Sequence, residues 1–189
     1  MSRVPSLVAC SFALTLLLLG AAAGLPESPP EPDGYRMDDY RAPTPATLRG
    51  AAVLNTREAA ALWEEGSSVF VDVLPRPTRP ANLPPRTVWR DAPHDSLPGA
   101  VWIPNTGYGT LSADSETYFR ESLDRVSNGN MQKPLVFFCQ RHCWMSWNAA
   151  KRALLYGYRR VFWFPDGTDG WFEAGLPRQQ LEPQRHERR

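Results

Sequence analysis

The sequence is poor in lysine, in histidine and in cysteine, and beyond residue 19 it holds no long hydrophobic run. Only Lys133 and Lys151 are lysine, against 19 arginines, a bias we read as a compositional habit rather than a phosphate-binding device. Excess charge is lacking too. Without Arg3, which lies in the N-terminal segment, the remaining 20 basic residues face 20 acidic ones, which gives no electrostatic reason to expect nucleic acid as a partner. The apolar run from Val8 to Leu19 is short for a bilayer span, so no membrane span is expected in the mature chain. Two of the three cysteines, Cys139 and Cys143, stand in one tight stretch.

What is present begins with the N-terminus. One positive residue, the apolar run, and the small residues Gly20 to Ala23 read as a cleaved secretory signal over residues 1–23. Cys10 is then discarded with it, and the expected compartment is the periplasm; an uncleaved anchor is the alternative. The roughly 166 residues that follow suit one domain. We divide them into an extended arm rich in Pro, Asp and Arg (24–49), a folded domain (50–177) and an Arg-rich tail (178–189). Four of seven tryptophans, Trp144, Trp147, Trp163 and Trp171, fall in the last third, where they build core and pocket wall.

Along the domain, strands alternate with helices. Asn55 and Glu58 have the spacing of a capping box, with Ala59, Leu62 and Trp63 on one face of a helix ending at Gly66. Continuous apolar runs at 69–74, 100–103, 135–138 and 160–164 predict strands buried on both faces. Helical spacing predicts helices over 112–126 and 146–156. The pattern implies an α/β fold with a mostly parallel central sheet and helices on both faces. Between 75 and 98 an excursion with seven prolines predicts a semi-rigid surface loop. His94 is the one histidine able to reach the cysteine turn from elsewhere. Asp72 is positioned either to orient the site or to form a turn, and Asp166 and Asp169 read as turn formers.

The stretch PLVFFCQRHCWMSWNAAKR runs a buried strand into Cys139 and then into a helix. A sulfur in that place faces unpaired amides and the positive end of a helix dipole, which stabilise a thiolate. It also stands at the carboxyl end of a parallel strand, where α/β sheets place ligands. A Cys139 thiolate forming well below the ordinary thiol value is therefore expected, against the alternative of a small buried hydrophobe. The order C-x-x-x-C, with His142 before Cys143, excludes covalent haem attachment, which needs C-x-x-C-H. Cys139, His142, Cys143 and Met145 offer an alternative soft-metal donor set, but the leading reading has no metal and no cofactor. A disulfide closing so small a loop stabilises little. The pair is better understood as a switch, with Cys139 reacting, Cys143 resolving, and the sulfurs within bonding reach after at most a rotamer change.

The order of FVDV, LPGAVWIPN, VFFC and GYRRVFWFPDGTDGW resembles a rhodanese-like domain. More closely, CWMSWNAAKRALLYGY with FPDGTDGW and LPGAVWIPNTGYG is similar to the exported rhodanese-like family named for pyrroloquinoline quinone-dependent catabolism and a CXXCW motif. The likeness covers roughly residues 35–177. It implies a rhodanese-like fold, a nucleophile at Cys139, and a loop Gln140, Arg141, His142, Cys143, Trp144 and Met145 that binds the substrate, with Arg141 on an anionic donor. It implies a sulfane-sulfur or thiol substrate and an association with a quinoprotein dehydrogenase or cytochrome c. Three residues separate the cysteines here, one more than in the family motif. The competing expectation is a non-catalytic binding or assembly module for such a dehydrogenase, docking through the Pro-rich excursion and exposed tryptophans.

Overall fold

A computed structural model describes residues 28–77, 79–90 and 92–185. The expected signal at 1–23, with Cys10, lies outside the described residues. Local sequence rules start the elements. Asn55 Oδ1 accepts the Glu58 amide at 3.0 Å and Glu58 Oε2 accepts the Asn55 amide at 2.9 Å, so the capping box is complete and opens α1 (Thr56–Glu65), closed by Gly66 at φ +67°. Ser112 caps α2 (Ala113–Ser127), and Asn128 ends it in the left-handed region. The apolar runs give β2 (Val69–Asp72), β5 (Leu135–Phe138) and β6 (Val161–Phe164), while the run at 100–103 is reduced to β4 (Val101–Trp102). α3 spans Trp144–Leu155, two residues earlier than the sequence predicts.

Five parallel strands form the sheet in the order β1-β6-β5-β2-β4, with β1 (Ala52–Val53) at one edge. Every residue of β5 is buried, and the two-residue period of a strand sorts them by face. Leu135 and Phe137 join α2 and α3 in one core, which also holds Val71, Phe119, Trp147 and Trp163. Val136 and Phe138 join α1 in the other, with Phe70, Trp102 and Trp171. Burying each of these phenylalanines contributes about 1.5–3 kcal/mol. The fold is therefore α/β, with a parallel central sheet covered on both faces. The four tryptophans of the last third are all buried, and each indole N–H finds an acceptor: Pro43 O, Thr47 O, Ser146 Oγ and Pro177 O.

Three features depart from expectation. The stretch PDGTDG is not a plain turn: it opens α4 (Gly167–Glu173), on the same face as α1. A small antiparallel pair, β3 (Asp95–Ser96) with β7 (Gln179–Gln180), forms a second sheet at the end of the Pro-rich excursion. His94 does not reach the cysteine turn. Its Nε2 lies 2.8 Å from Asp72 Oδ2, and its ring packs on Trp102 with centroids 4.2 Å apart. The reason is the strand period: Asp72 shares the Phe70 face of β2, whereas Cys139 continues the Phe137 face of β5. Among the described residues no helix is long and apolar enough to cross a membrane.

Candidate functional site

Cys139 follows β5 directly, and Cys143 is the N-cap of α3 with extended backbone. The five-residue connection is shaped by His142, which turns the chain at φ +55°. For a residue other than glycine that conformation costs about 1–2 kcal/mol. The loop is then pinned on its far side. Cys139 O accepts the Thr168 amide (2.9 Å) and the Thr168 hydroxyl (3.2 Å), and Gln140 bridges to Gly167. Arg141 donates its amide to Asp169 Oδ2 at 3.2 Å and forks onto both Glu173 oxygens at 2.7 and 2.6 Å, with Nε 3.4 Å from Asp166 Oδ1. Expected to grip an anionic donor, Arg141 instead staples the loop to α4. Its carboxylate partners are the reason, and two of them, Glu173 first and then Asp166, raise its already high pKa further against the cost of burial.

Trp144 and Met145, expected to contact substrate, are buried at 3 % and 2 % exposure. The Trp144 amide donates to Tyr40 O at 2.9 Å, so the arm takes one of the helix amides that an anion would otherwise meet. His142 is exposed.

Both thiols are free and buried, Cys139 at 0 % and Cys143 at 2 % exposure. The Cys139 Sγ donates to Cys143 O at 3.5 Å and lies 3.7 Å from Gln140 O, and the two thiols titrate in opposite directions. Burial, first, and then the neighbouring Cys143 push the Cys139 thiol up, outweighing the Ser146 hydroxyl and amide. Cys143 is lowered to about 6, chiefly by the neighbouring Cys139 thiol, with further help from the Met145 and Gln140 amides and the Arg41 charge against the cost of burial. The cap geometry of Cys143 falls short of a full side-chain hydrogen bond, but amide dipoles aimed at the sulfur favour the anion without one. The acidic thiol is thus Cys143, and Cys139 is its proton-bearing partner. This reverses the sequence expectation, because the strand end that was to activate Cys139 also seals it from water, whereas the N-cap position belongs to Cys143. Among the described residues there is no group of three or more His, Cys, Asp or Glu placed to hold a metal.

Three contributors escape sequence reading. Ser146 contacts both cysteines, with its hydroxyl 3.2 Å from Cys143 O. Arg41 approaches from about a hundred residues away, and nothing local signals it. Asn148, fully buried in α3, was detectable as a polar residue on an apolar helical face.

The loop also depends on Gly167. With φ +50°, a Cβ there would run into the Cys139 carbonyl and come within 3.2 Å of Gln140 Cα. Gly167→Ala is expected to lose about 2–4 kcal/mol in urea unfolding, strain and overpacking together. Gly175→Ala, at φ +69° with open space around it, isolates the conformational part at about 1–2 kcal/mol.

No family model matches the sequence, and no curated protein matches it. Solved structures do show partial likeness. A thiosulfate sulfurtransferase from Pseudomonas aeruginosa aligns over 72% of this chain at 17% identity and TM-score 0.48, and the chain spans only 21% of that protein. A polysulfide-sulfur transferase homodimer from Wolinella succinogenes aligns over 74% of this chain and 84% of its own at 21% identity and TM-score 0.41. A human single-domain sulfurtransferase aligns over 65% of this chain and 96% of its own at 19% identity and TM-score 0.39. The α/β assignment rests on the sheet order and helix placement described above.

Proposed function

We propose that this chain is an exported protein of rhodanese-like type whose cysteine pair takes up a sulfane sulfur or exchanges disulfides. One observation carries the reading: two free thiols lie together between the carboxyl end of a central parallel strand and a helix N-terminus, the Cys139 thiol donating to the Cys143 carbonyl at 3.5 Å. The Cys143 thiolate attacks the outer sulfur of a persulfide or polysulfide, R–S–SH. The donor S–S bond breaks, R–S⁻ leaves with the electron pair, and Cys143 carries the persulfide. Cys139 then gives up its proton and attacks Cys143 Sγ; hydrosulfide leaves and takes that proton, and a Cys139–Cys143 disulfide remains. The sulfane sulfur is reduced and the two thiols are oxidised. Export to the periplasm and service to a quinoprotein dehydrogenase or cytochrome c are the setting supported by the N-terminal apolar run and the CWMSWNAAKRALLYGY resemblance.

Burial of both sulfurs favours a second reading, a docking module without chemistry. Val88, 77 % exposed in the Pro-rich excursion, would belong to its contact face, whereas only Trp89 among the excursion and last-third tryptophans is exposed. Incubation with inorganic polysulfide followed by peptide mass analysis separates the two. The expected result is a Cys139–Cys143 disulfide in the wild type and one added sulfur on Cys143 in Cys139→Ser. Two unmodified thiols in both proteins would leave docking as the function.

A further inference from the structure

The cover over the cysteine pair is a segment without helix or strand. From Ser28 to Thr44 none of its residues is buried, and the first that are, Pro45 and Leu48, come just after it. α3 holds this segment with side chains at 144, 147, 148 and 151, one face of the helix. Lys151 Nζ donates to Pro32 O at 3.2 Å. Asn148 accepts the Arg36 amide and donates to Arg36 O, both at 2.9 Å. The Trp144 indole donates to Pro43 O at 3.0 Å, and the Trp147 indole to Thr47 O at 3.0 Å. With Trp144 N–H on Tyr40 O, these hydrogen bonds from α3 reach only backbone carbonyls and one backbone amide, and the one to Thr47 O lies just beyond the segment. Side-chain contacts close the cover: Tyr40 Oη accepts the Gly109 amide at 3.0 Å, the Tyr40 and Tyr108 rings meet edge to face, Arg36 lies over the Trp144 ring and Arg152 over the Tyr35 ring, and Glu31 accepts from the Thr47 hydroxyl and the Arg49 amide, both at 2.8 Å.

The stretch nearest the sulfurs buries little apolar surface. Tyr40 and Ala42 pack on the cluster that contains Cys139 and Cys143, but each is only partly buried. Water replaces most of the hydrogen bonds on release, so each contributes little net free energy. Segments of this kind open independently of the rest of a fold.

We propose that residues 28–44 are a strap that detaches as a unit, with Pro45 and Leu48 remaining docked as its hinge, and that this opening gates access to the Cys139–Cys143 pair. Release uncovers the sulfurs and frees the Trp144 amide at the α3 N-terminus, so the closed site becomes competent for an incoming anion in one motion. The purpose of the gate rests on the sulfur-transfer reading, but the gate itself is a statement about thiol exposure and is tested without any sulfur donor.

The test is alkylation of the full chain with iodoacetamide across a urea series, with Cys139 and Cys143 followed by peptide mass and global unfolding by tryptophan fluorescence. At low urea the labelling rate should rise with a slope less than about half that of global unfolding, as expected for a small opened surface. Asn148→Ala should label about tenfold faster at zero urea, from the loss of its two bonds to Arg36. Because Asn148 also donates to Gly107 O at 2.9 Å, the wild-type slope is the decisive reading. A slope equal to that of global unfolding, labelling as fast as in a short peptide, or no acceleration in Asn148→Ala overturns the proposal. Gated labelling with no sulfur uptake would retain the strap and remove the sulfur-transfer function.

Discussion

Cys139→Ala should raise the pKa of Cys143 from about 6 toward the ordinary thiol value of about 8.5, because it deletes the neighbouring thiol that most favours the Cys143 anion. Cys139→Ser, which keeps a hydroxyl donor at the same place, should move it far less. At pH 7 the alanine variant would hold roughly thirtyfold less thiolate than the wild type, taken from those two pKa values. Cys143→Ser should abolish the acidic thiolate altogether, since burial keeps Cys139 protonated. Ultraviolet thiolate absorbance against pH measures all three. A wild type whose acidic titration survives Cys143→Ser and disappears in Cys139→Ser would return the nucleophile to Cys139. The same shifts bear on stability. The lowered Cys143 value supplies stability that is complete above the unfolded thiol pKa of about 8.5 and is lost as pH falls through about 6. The raised Cys139 value supplies stability that is present below about 8.5 and is lost as pH rises above it. The two contributions are largest together near pH 8.5, where the pair favours folding most, and their sum falls as pH drops from there toward 6.

Asp72→Ala is expected to cost about 3–5 kcal/mol in urea unfolding, because three polar partners lose one buried group together, at about 1–3 kcal/mol each. Asp72 is fully buried, and its carboxylate serves three partners: His94 Nε2 at 2.8 Å, Ser96 Oγ at 2.6 Å and the Leu74 amide at 2.9 Å. All three lose their acceptor together. The end of the Pro-rich excursion should loosen with them, because the β3–β7 pairing and the bond from the Leu181 amide to His94 O begin beside this residue. The Cys143 titration should stay in place, since Asp72 and the thiols lie on opposite faces of the sheet. A stability change under about 1 kcal/mol would mean that His94, Ser96 and Leu74 find water instead. A shift in Cys143 would mean that the two faces are coupled through β2 and β5.

The legible parts were those that short-range rules govern. Helix α1 followed from Asn55, Glu58 and Gly66, and β5 from four consecutive apolar residues. The two-residue strands were hard to read because so few residues carry no usable period. Helix α4 was obscured by two glycines and two aspartates in PDGTDG that have turn chemistry of their own. Arg141 shows the limit most clearly. Its place beside Cys139 suggested an anion ligand, yet Glu173, Asp166 and Asp169 are 25 to 32 residues away in the chain, and only the packing of α4 brings them to its guanidinium and amide.

The sequence by itself determined that the chain is α/β, that its central strands are buried on both faces, and that two cysteines occupy the connection between a strand and a helix. Those properties follow from periodicity, β-branched runs and capping residues, all read within a few positions. Which cysteine holds the negative charge was decided by tertiary structure. The ordering depends on Cys139 being sealed from water, on its thiol turning toward Cys143, and on an arm laid across α3 that brings Arg41 within electrostatic reach. Burial and charge are sums over neighbours in space, and the neighbours that count here, Tyr40 and Arg41 on the arm and Ser146 on the helix, are gathered only when the chain closes on itself.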